Sequence, residues 1–550
     1  MSGAGRRRRV SDGVRAARWA TLGVAVLFGL LLHLWYLTHR YTDSDQAVIG
    51  LMAHQMLHGH FSAFVWGQHY GGTAEEALLV PAVAVVGLSR MAINGTEIVL
   101  SACAALLTWR MARRLVSDRW LAAMAGVAAW VAPQSSVGQT TFAYGFRGVA
   151  LLCGLGTVLV ALRVLDGRPR RRDLFALGLV AGVGWWSSPE IVYFLLPVGI
   201  MVALATARRV HRTGPRGTVS AASAVAGGAL LGALPWIWAN VGSHLASLRR
   251  SAFGQPPGSP GYLGRLKTFP RYVFPMQLSL RQPFTARWLG GHAVGVGLLV
   301  VLSVGIVAAG VRCARRDASC AAVAVALLAL PLLMAYSPST WFWQDGRYAV
   351  YVGPLIVVVL VAGFQGGLAP TRARHGAVSR HRALSGLGLA LVPLLAVTST
   401  WNFLAFVAPH PTAGWGFPDN PTLSSIHQLE AASIRFGYAG YWVAYRLDFL
   451  SHERLEITVA GTDTLRWTTV DRRVRASADP AWLFVAPTVA AIGQFGPADN
   501  IQGPNGTPEA RFLAYLQRVG IAYQLAHTGL IDAVIPSRPI PPELASPNLH

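Results

Sequence analysis

Residues 41–76 read YTDSDQAVIGLMAHQMLHGHFSAFVWGQHYGGTAEE. They follow a long apolar run at 17–37 and hold two aspartates within three residues, four histidines, a Gly-Gln-His-Tyr-Gly-Gly turn and a Glu-Glu pair. The segment that ends this stretch, AEEALLVPAVAVVGL at 74–88, decides the topology of everything after it. It is short, opens with two glutamates and contains Pro81. If it crosses a bilayer, the arginine clusters at 110–119, 163–172, 208–216, 312–316 and 372–382 all fall opposite the N-terminal RRRR. If it lies at the interface, all five fall on the side of that RRRR, as the positive-inside rule asks. The interfacial reading is preferred, and it puts 38–96 outside the cytoplasm.

Working outward, apolar runs long enough to cross roughly 30 Å of hydrocarbon lie near 17–37, 97–113, 119–137, 147–165, 172–187, 189–207, 219–240, 289–311, 319–336, 348–366 and 383–401. The run at 17–37 is long enough to span, and no small-residue cleavage site follows it, so it is expected to be a retained first helix. The chain is 53% hydrophobic and only 13% charged, where a soluble protein carries about a quarter charged residues. Its net charge of +23 is almost all arginine, clustered between apolar runs. That pattern belongs to membrane loops and argues against a nucleic-acid partner. The four cysteines form no CxxC pair, so neither a metal knot nor a disulfide framework is expected.

After Trp401 the apolar runs stop. The helical periodicity of LSSIHQLEAASIRFG and PEARFLAYLQRVG, with strand-like RLEITVAG, AWLFVAP, IAYQLA and IDAVIP, predicts a small α/β domain. The end, SRPIPPELASPNLH, reads as a disordered tail. The expected fold is a polytopic α-helical membrane protein of about 11 transmembrane helices, with interfacial helices in the first outer loop. Residues 1–401 form the membrane part and 402–550 a C-terminal extracytoplasmic α/β domain.

Several residues are candidates for chemistry. Asp43 and Asp45 follow the first span, where a carboxylate can deprotonate a hydroxyl acceptor or simply cap the next helix. Both readings stand at this point. His54 and His58 have i,i+4 spacing, with His60 and His69 nearby. This is either an interfacial polar face or a metal pair, although no HExxH is present. No cofactor is called for with certainty, and a divalent metal is left open. Trp185, Trp186, Pro189 and Glu190 mark a helix end; Glu190 is costly against lipid and is expected to face a cavity. The loop 241–288 holds seven basic residues, among them Lys267, Arg281 and Arg287, and no acid. It lies either against anionic headgroups or around a lipid phosphate. The sequons at Asn94 and Asn505 carry no assigned function.

The stretch TDSDQAVIGLMAHQMLHGHFSAFVWGQHYGGTAEEALLVPAVAVVG resembles the first outer loop of bacterial membrane glycosyltransferases of the GT-C class, family 39-like in particular. These form the protein O-mannosyltransferase and aminoarabinose transferase group. Asp45 occupies the acidic position of that pattern, and Gln46 stands where Glu is common. Gly67, Gln68, Tyr70 and Gly72 match its turn, and Glu75 its later acid. Weaker matches are GWWSSPEIVYFLLP at 184–197, GALPWIWAN at 232–240 and Asp345-Gly-Arg347-Tyr348. RFGYAGYWVAYRLDFLSHERL at 435–455 is similar to the outer domain of actinobacterial members.

The resemblance implies an inverting glycosyltransferase at the outer face of the plasma membrane. A polyprenyl-phosphate sugar, hexosyl or pentosyl, would be the donor. The acceptor would be a hydroxyl of a glycan, lipid or protein. Asp45 would be the general base with Asp43 as helper or cap. The phosphate would be met by Arg347, Lys267, Arg281, Arg287 or Arg147, with Tyr348 beside Arg347. Gln68, Tyr70, Glu75 and Glu190 would shape the pocket. Two other classes fit a polytopic chain with an outer domain. A transporter or flippase of a lipid-linked or charged solute would carry polar groups at mid-span in repeated halves; an idle scaffold would display the 402–550 domain.

Overall fold

The structure is a computed structural model. It describes residues 3–39, 42–131, 145–166, 169–213, 218–249, 260–283, 285–337, 346–365, 375–409, 419–461, 465–486 and 507–545. Asp345 and Asn505 lie outside the described residues. The chain divides into two compact units. One takes in Met1–Tyr36, Glu97–Phe142 and Phe146–Pro409; the other takes in Leu37–Thr96, Ala143–Gly145 and His410–His550.

The first unit is helical. Among the described residues seven helices are long and apolar enough to cross a membrane, and an eighth span forms if Val219–Gly232 and Leu234–Gly242 count as one. That pair is bent by 60°, where the sequence predicts one straight run. Pro235 lies in the first turn of the second piece and removes a backbone donor there. The other three expected spans are shorter helices, Arg119–Val131, Arg171–Ser187 and Ala318–Met334.

The core of this unit is the helix Val352–Phe364, whose side chains are buried on every face. A helix that is apolar all round belongs inside a bundle. The helices Arg119–Val131, His292–Arg316, Ala318–Met334 and His375–Asn402 pack around it. Arg171–Ser187 and Thr218–Gly232 are joined through glycine. A Cβ on Gly178 or Gly182 would meet the carbonyls of Val225 and Ala229, and one on Gly228 or Gly232 those of Phe175 and Leu179. Small residues four apart on both helices let the backbones touch, the usual way to gain packing where lipid offers no hydrophobic drive. All four cysteines are free.

The second unit combines the 42–96 segment with the C-terminal α/β region. Ser44–Leu57 is a helix, followed by an antiparallel hairpin of β1 (Phe64–Val65) and β2 (Gln68–Gly72). Next comes the helix Ala74–Val86. Its 13 residues span about 20 Å at 1.5 Å per residue, too short for the bilayer core.

The C-terminal sheet contains β3 (Phe436–Ala439), β4 (Glu456–Val459), β5 (Ala481–Val485), β6 (Tyr523–His527) and β7 (Ile531–Pro536). Their order is β4-β3-β5-β7-β6. β3 runs parallel to β4 and β5, while β7 runs antiparallel to β5 and β6. The parallel strands are linked through the helices Tyr441–Leu450 and Thr468–Ala476, as parallel pairing requires a crossover. The strands predicted at 454–461, 481–487, 521–526 and 531–536 are present; β3 was not among them. The tail expectation is corrected in part. Pro542–Ala545 is a short helix with Pro542 and Ala545 buried, and Arg475 bonds Glu543 at 2.7 Å. Apolar contacts of Ile540 and Ala545, both buried, hold what a Pro-rich composition alone leaves loose.

Candidate functional site

Asp43 and Asp45 separate by role. Asp43 is the N-cap of Ser44–Leu57, its carboxylate accepting from the Gln46 backbone N–H at 2.8 Å. Asp45 lies in the first turn of the same helix and accepts from the Tyr441 hydroxyl at 2.5 Å. The partner is 396 residues away in sequence. Ser44–Leu57 packs along Tyr441–Leu450, and Gly50 makes the approach possible, since a Cβ there would stand 2.5 Å from the Phe449 ring. Gln46 is buried and donates to the Asn94 carbonyl oxygen at 3.0 Å. That buries the Asn94 side chain, so the first sequon is closed to modification. It also gives the Gln in place of Glu a structural use.

The turn between β1 and β2 docks on the segment after β4. Gly67 has φ +67°, and a Cβ there would lie 2.4 Å from the Leu465 carbonyl, so this position admits only glycine. Arg466 donates from Nη1 to the Gly67 carbonyl at 3.1 Å. Its guanidinium stands 5.4 Å from the Tyr441 ring centre, and Asp45 and Tyr70 lie within its electrostatic reach. Trp66 stacks on Trp467 at 4.9 Å. Burial, and next the Asp45 charge, push the Tyr441 hydroxyl well above its usual range. It is therefore a donor at every physiological pH. Tyr70 and Gln68 are half-buried on β2.

Glu75 and Glu76 occupy the first turn of Ala74–Val86, both buried. Both Glu76 oxygens lie buried without a hydrogen-bond partner. Burial, reinforced by the neighbouring Glu75, drives the Glu76 carboxyl well above the usual carboxylate range. The histidines serve contacts of their own. His54 Nδ1 meets Glu453 Oε1 at 2.7 Å, and His58 Nδ1 meets the His54 carbonyl at 2.8 Å. Among the described residues no group of three or more His, Cys, Asp or Glu side chains is arranged to hold a metal.

A second polar group lies in the helical unit, and the structure brings four predicted residues into it. Arg147 donates from Nη2 to Glu190 Oε1 at 3.2 Å, and the Tyr351 hydroxyl donates to Glu190 Oε2. The Arg147 guanidinium sits 4.5 Å over the Tyr348 ring, and that of Arg347 5.5 Å from the same ring. Two cations thus stand against one aromatic ring, with one carboxylate between Arg147 and Tyr351. The predicted residues of the basic loop are engaged elsewhere in that unit. Arg281 lies between Tyr272 and Trp288 at 4.8 and 4.2 Å. Arg287 is exposed beside Phe406 at 5.7 Å. Lys267 is exposed on the helix Tyr262–Thr268.

Tyr441, Arg466, Glu76 and Tyr351 were not singled out from sequence. Nothing local marks the two C-terminal residues as neighbours of Asp45. For Glu76 a signal existed: a carboxylate beside another acid at the start of an apolar run.

Comparison with known proteins bears on the fold. The family model for dolichyl-phosphate-mannose-protein mannosyltransferase matches residues 76–238, which begins beyond Asp45. A comparison with curated protein sequences gives no significant match. Among solved structures, the chain is similar to ArnT from Cupriavidus metallidurans. In the apo state the TM-score is 0.59 at 14% identity, over 95% of this chain and 98% of that one. For ArnT bound to undecaprenyl phosphate the TM-score is 0.55 at 14% identity, over 94% and 98%.

Proposed function

We propose that this chain, a membrane protein with the fold of the GT-C glycosyltransferases, moves a hexosyl or pentosyl unit from a polyprenyl-phosphate donor to a hydroxyl acceptor on a glycan, lipid or protein at the outer face of the plasma membrane. Asp45 acts as general base. Its carboxylate takes the proton of the acceptor hydroxyl as the acceptor oxygen bonds to the anomeric carbon. The bond from that carbon to the phosphate oxygen breaks, and the polyprenyl phosphate leaves with the electron pair. One displacement inverts the sugar. The observation that carries this reading is the placement of Asp45. It stands in the first turn of a helix that Asp43 caps, with its carboxylate fixed by a tyrosine hydroxyl.

Arg147 and Arg347 serve the leaving phosphate. Both are permanent cations, and the guanidinium fork matches phosphate geometry. Stabilising charge that grows at the leaving oxygen is the largest lever such a site has. Glu190 holds Arg147 in place, and the Tyr348 ring lies against both arginines. The solved relative that binds undecaprenyl phosphate supports a lipid-phosphate donor.

The test is a strain lacking this protein. Its membranes should accumulate a polyprenyl-phosphate sugar that the parent consumes, and one envelope glycoconjugate should lose that sugar. Purified protein added to those membranes should discharge the accumulated lipid. Unchanged lipid-linked sugars and envelope glycans in the deletion strain would rule the proposal out.

A further inference from the structure

The position of Tyr441 in its sheet deserves a role beyond packing. It is the first residue of the helix that follows β3, directly after Gly440. Arg466 lies in the connection that follows β4. β3 and β4 are adjacent and parallel, so both residues leave the carboxyl ends of neighbouring strands. That edge of an α/β sheet is where ligands and reacting groups gather, because the loops there converge. The two residues also meet Asp45 from different directions: Tyr441 through its hydroxyl at 2.5 Å, Arg466 by charge and through the Tyr441 ring.

We propose that Tyr441 is a positioning residue for Asp45, with Arg466 bracing it, so that the C-terminal region supplies part of the transfer site. The inference rests on the reading of Asp45 as the base. A hydroxyl donating to a carboxylate is charge-assisted and directional. It holds the Asp45 carboxylate in one rotation about its last bond, a torsion with a broad intrinsic preference. The tyrosine itself has little freedom. Its ring is met edge-on by Trp442 at 5.0 Å and by Tyr445 at 5.6 Å. Arg466 is tied in turn to the Gly67 carbonyl, and its backbone N–H donates to the Tyr445 hydroxyl at 2.5 Å. The chain of contacts runs from the Gly67 turn through Arg466 and Tyr441 to Asp45. Any group that reaches Asp45 therefore meets a surface that the C-terminal region helps to build.

The experiment uses full-length protein in nanodiscs, with the polyprenyl-phosphate sugars extracted from the deletion strain as donor. Four proteins are compared: wild type, Tyr441→Phe, Tyr515→Phe and Asp45→Asn. In Tyr441→Phe, kcat should fall about tenfold or more with the donor KM unchanged. Tyr515→Phe removes a tyrosine hydroxyl on the helix Pro508–Arg518 of the same C-terminal region, so it should leave kcat unchanged. A Tyr441→Phe protein with wild-type kcat overturns the proposal, as does a Tyr515→Phe protein that loses kcat equally. An Asp45→Asn protein that still transfers overturns the reading beneath it, a separate outcome. Thermal midpoints equal to wild type show that both phenylalanine variants are folded.

Discussion

Replacing Glu76 with Gln should make the protein's stability less dependent on pH, and the sign follows from burial. Both Glu76 oxygens are buried without a partner, and burial and Glu75 raise its pKa. In the unfolded chain the same carboxyl titrates near pH 4.3, roughly its free value. Between that value and the folded one, the native protein holds one more proton than the unfolded chain. Stability then falls as pH rises, by about 1.4 kcal/mol per pH unit. The contribution is most favourable below the unfolded value and is lost progressively above it. Glutamine has the same shape and no charge to desolvate, so Glu76→Gln removes this slope. Other raised groups, such as the buried Asp448, act equally in both proteins and cancel in the difference. Unfolding followed by tryptophan fluorescence at pH 5 and pH 6 should show the variant gaining on wild type as the pH rises, by at most about 1.4 kcal/mol across that unit. A stability gap that does not change with pH would mean that Glu76 is ionised or solvated in the folded protein.

Two further outcomes follow from the helical unit. Gly182→Leu would drive a Cβ to 2.3 Å from the Ala229 carbonyl and should destabilise by about 1–3 kcal/mol, read as a lower thermal midpoint. Gly199→Leu, where nothing stands within 4 Å, should leave the midpoint unchanged. If Arg347 meets the leaving phosphate as proposed, Arg347→Met should weaken binding of a polyprenyl phosphate about tenfold or more, the worth of one charged hydrogen bond, as measured by titration in nanodiscs. Unaltered affinity would remove Arg347 from the phosphate site.

The spans were legible because crossing a bilayer demands a run of apolar residues, and the positions of helices such as His292–Arg316 and Arg147–Leu165 follow from that alone. The sequence predicts no bend at Ala233, since Pro235 reads equally well inside a straight run when its neighbours are unknown. In the loop, the acids and the Gly67 turn stood out, and the capping role of Asp43 was one of two readings that spacing allowed. Glu190 was expected to face a cavity, yet its partner Arg147 lies 43 residues away on another helix. Tyr441 and Arg466 were beyond reach for the same reason. Contacts made across almost four hundred residues leave no periodicity, and Tyr441 reads as one more aromatic in GYAGYWVAY. In the basic loop, charge marks Arg281 but does not reveal that it packs between two aromatic rings.

The central claim is that the Asp45 carboxylate takes the acceptor's proton. Asp45→Asn keeps the size of the side chain and an oxygen for the Tyr441 hydroxyl but removes the base. With donor extracted from the deletion strain, the variant should insert into membranes, bind that donor with wild-type affinity, and transfer sugar at least about a hundredfold more slowly. Transfer by Asp45→Asn at close to the wild-type rate would contradict the account.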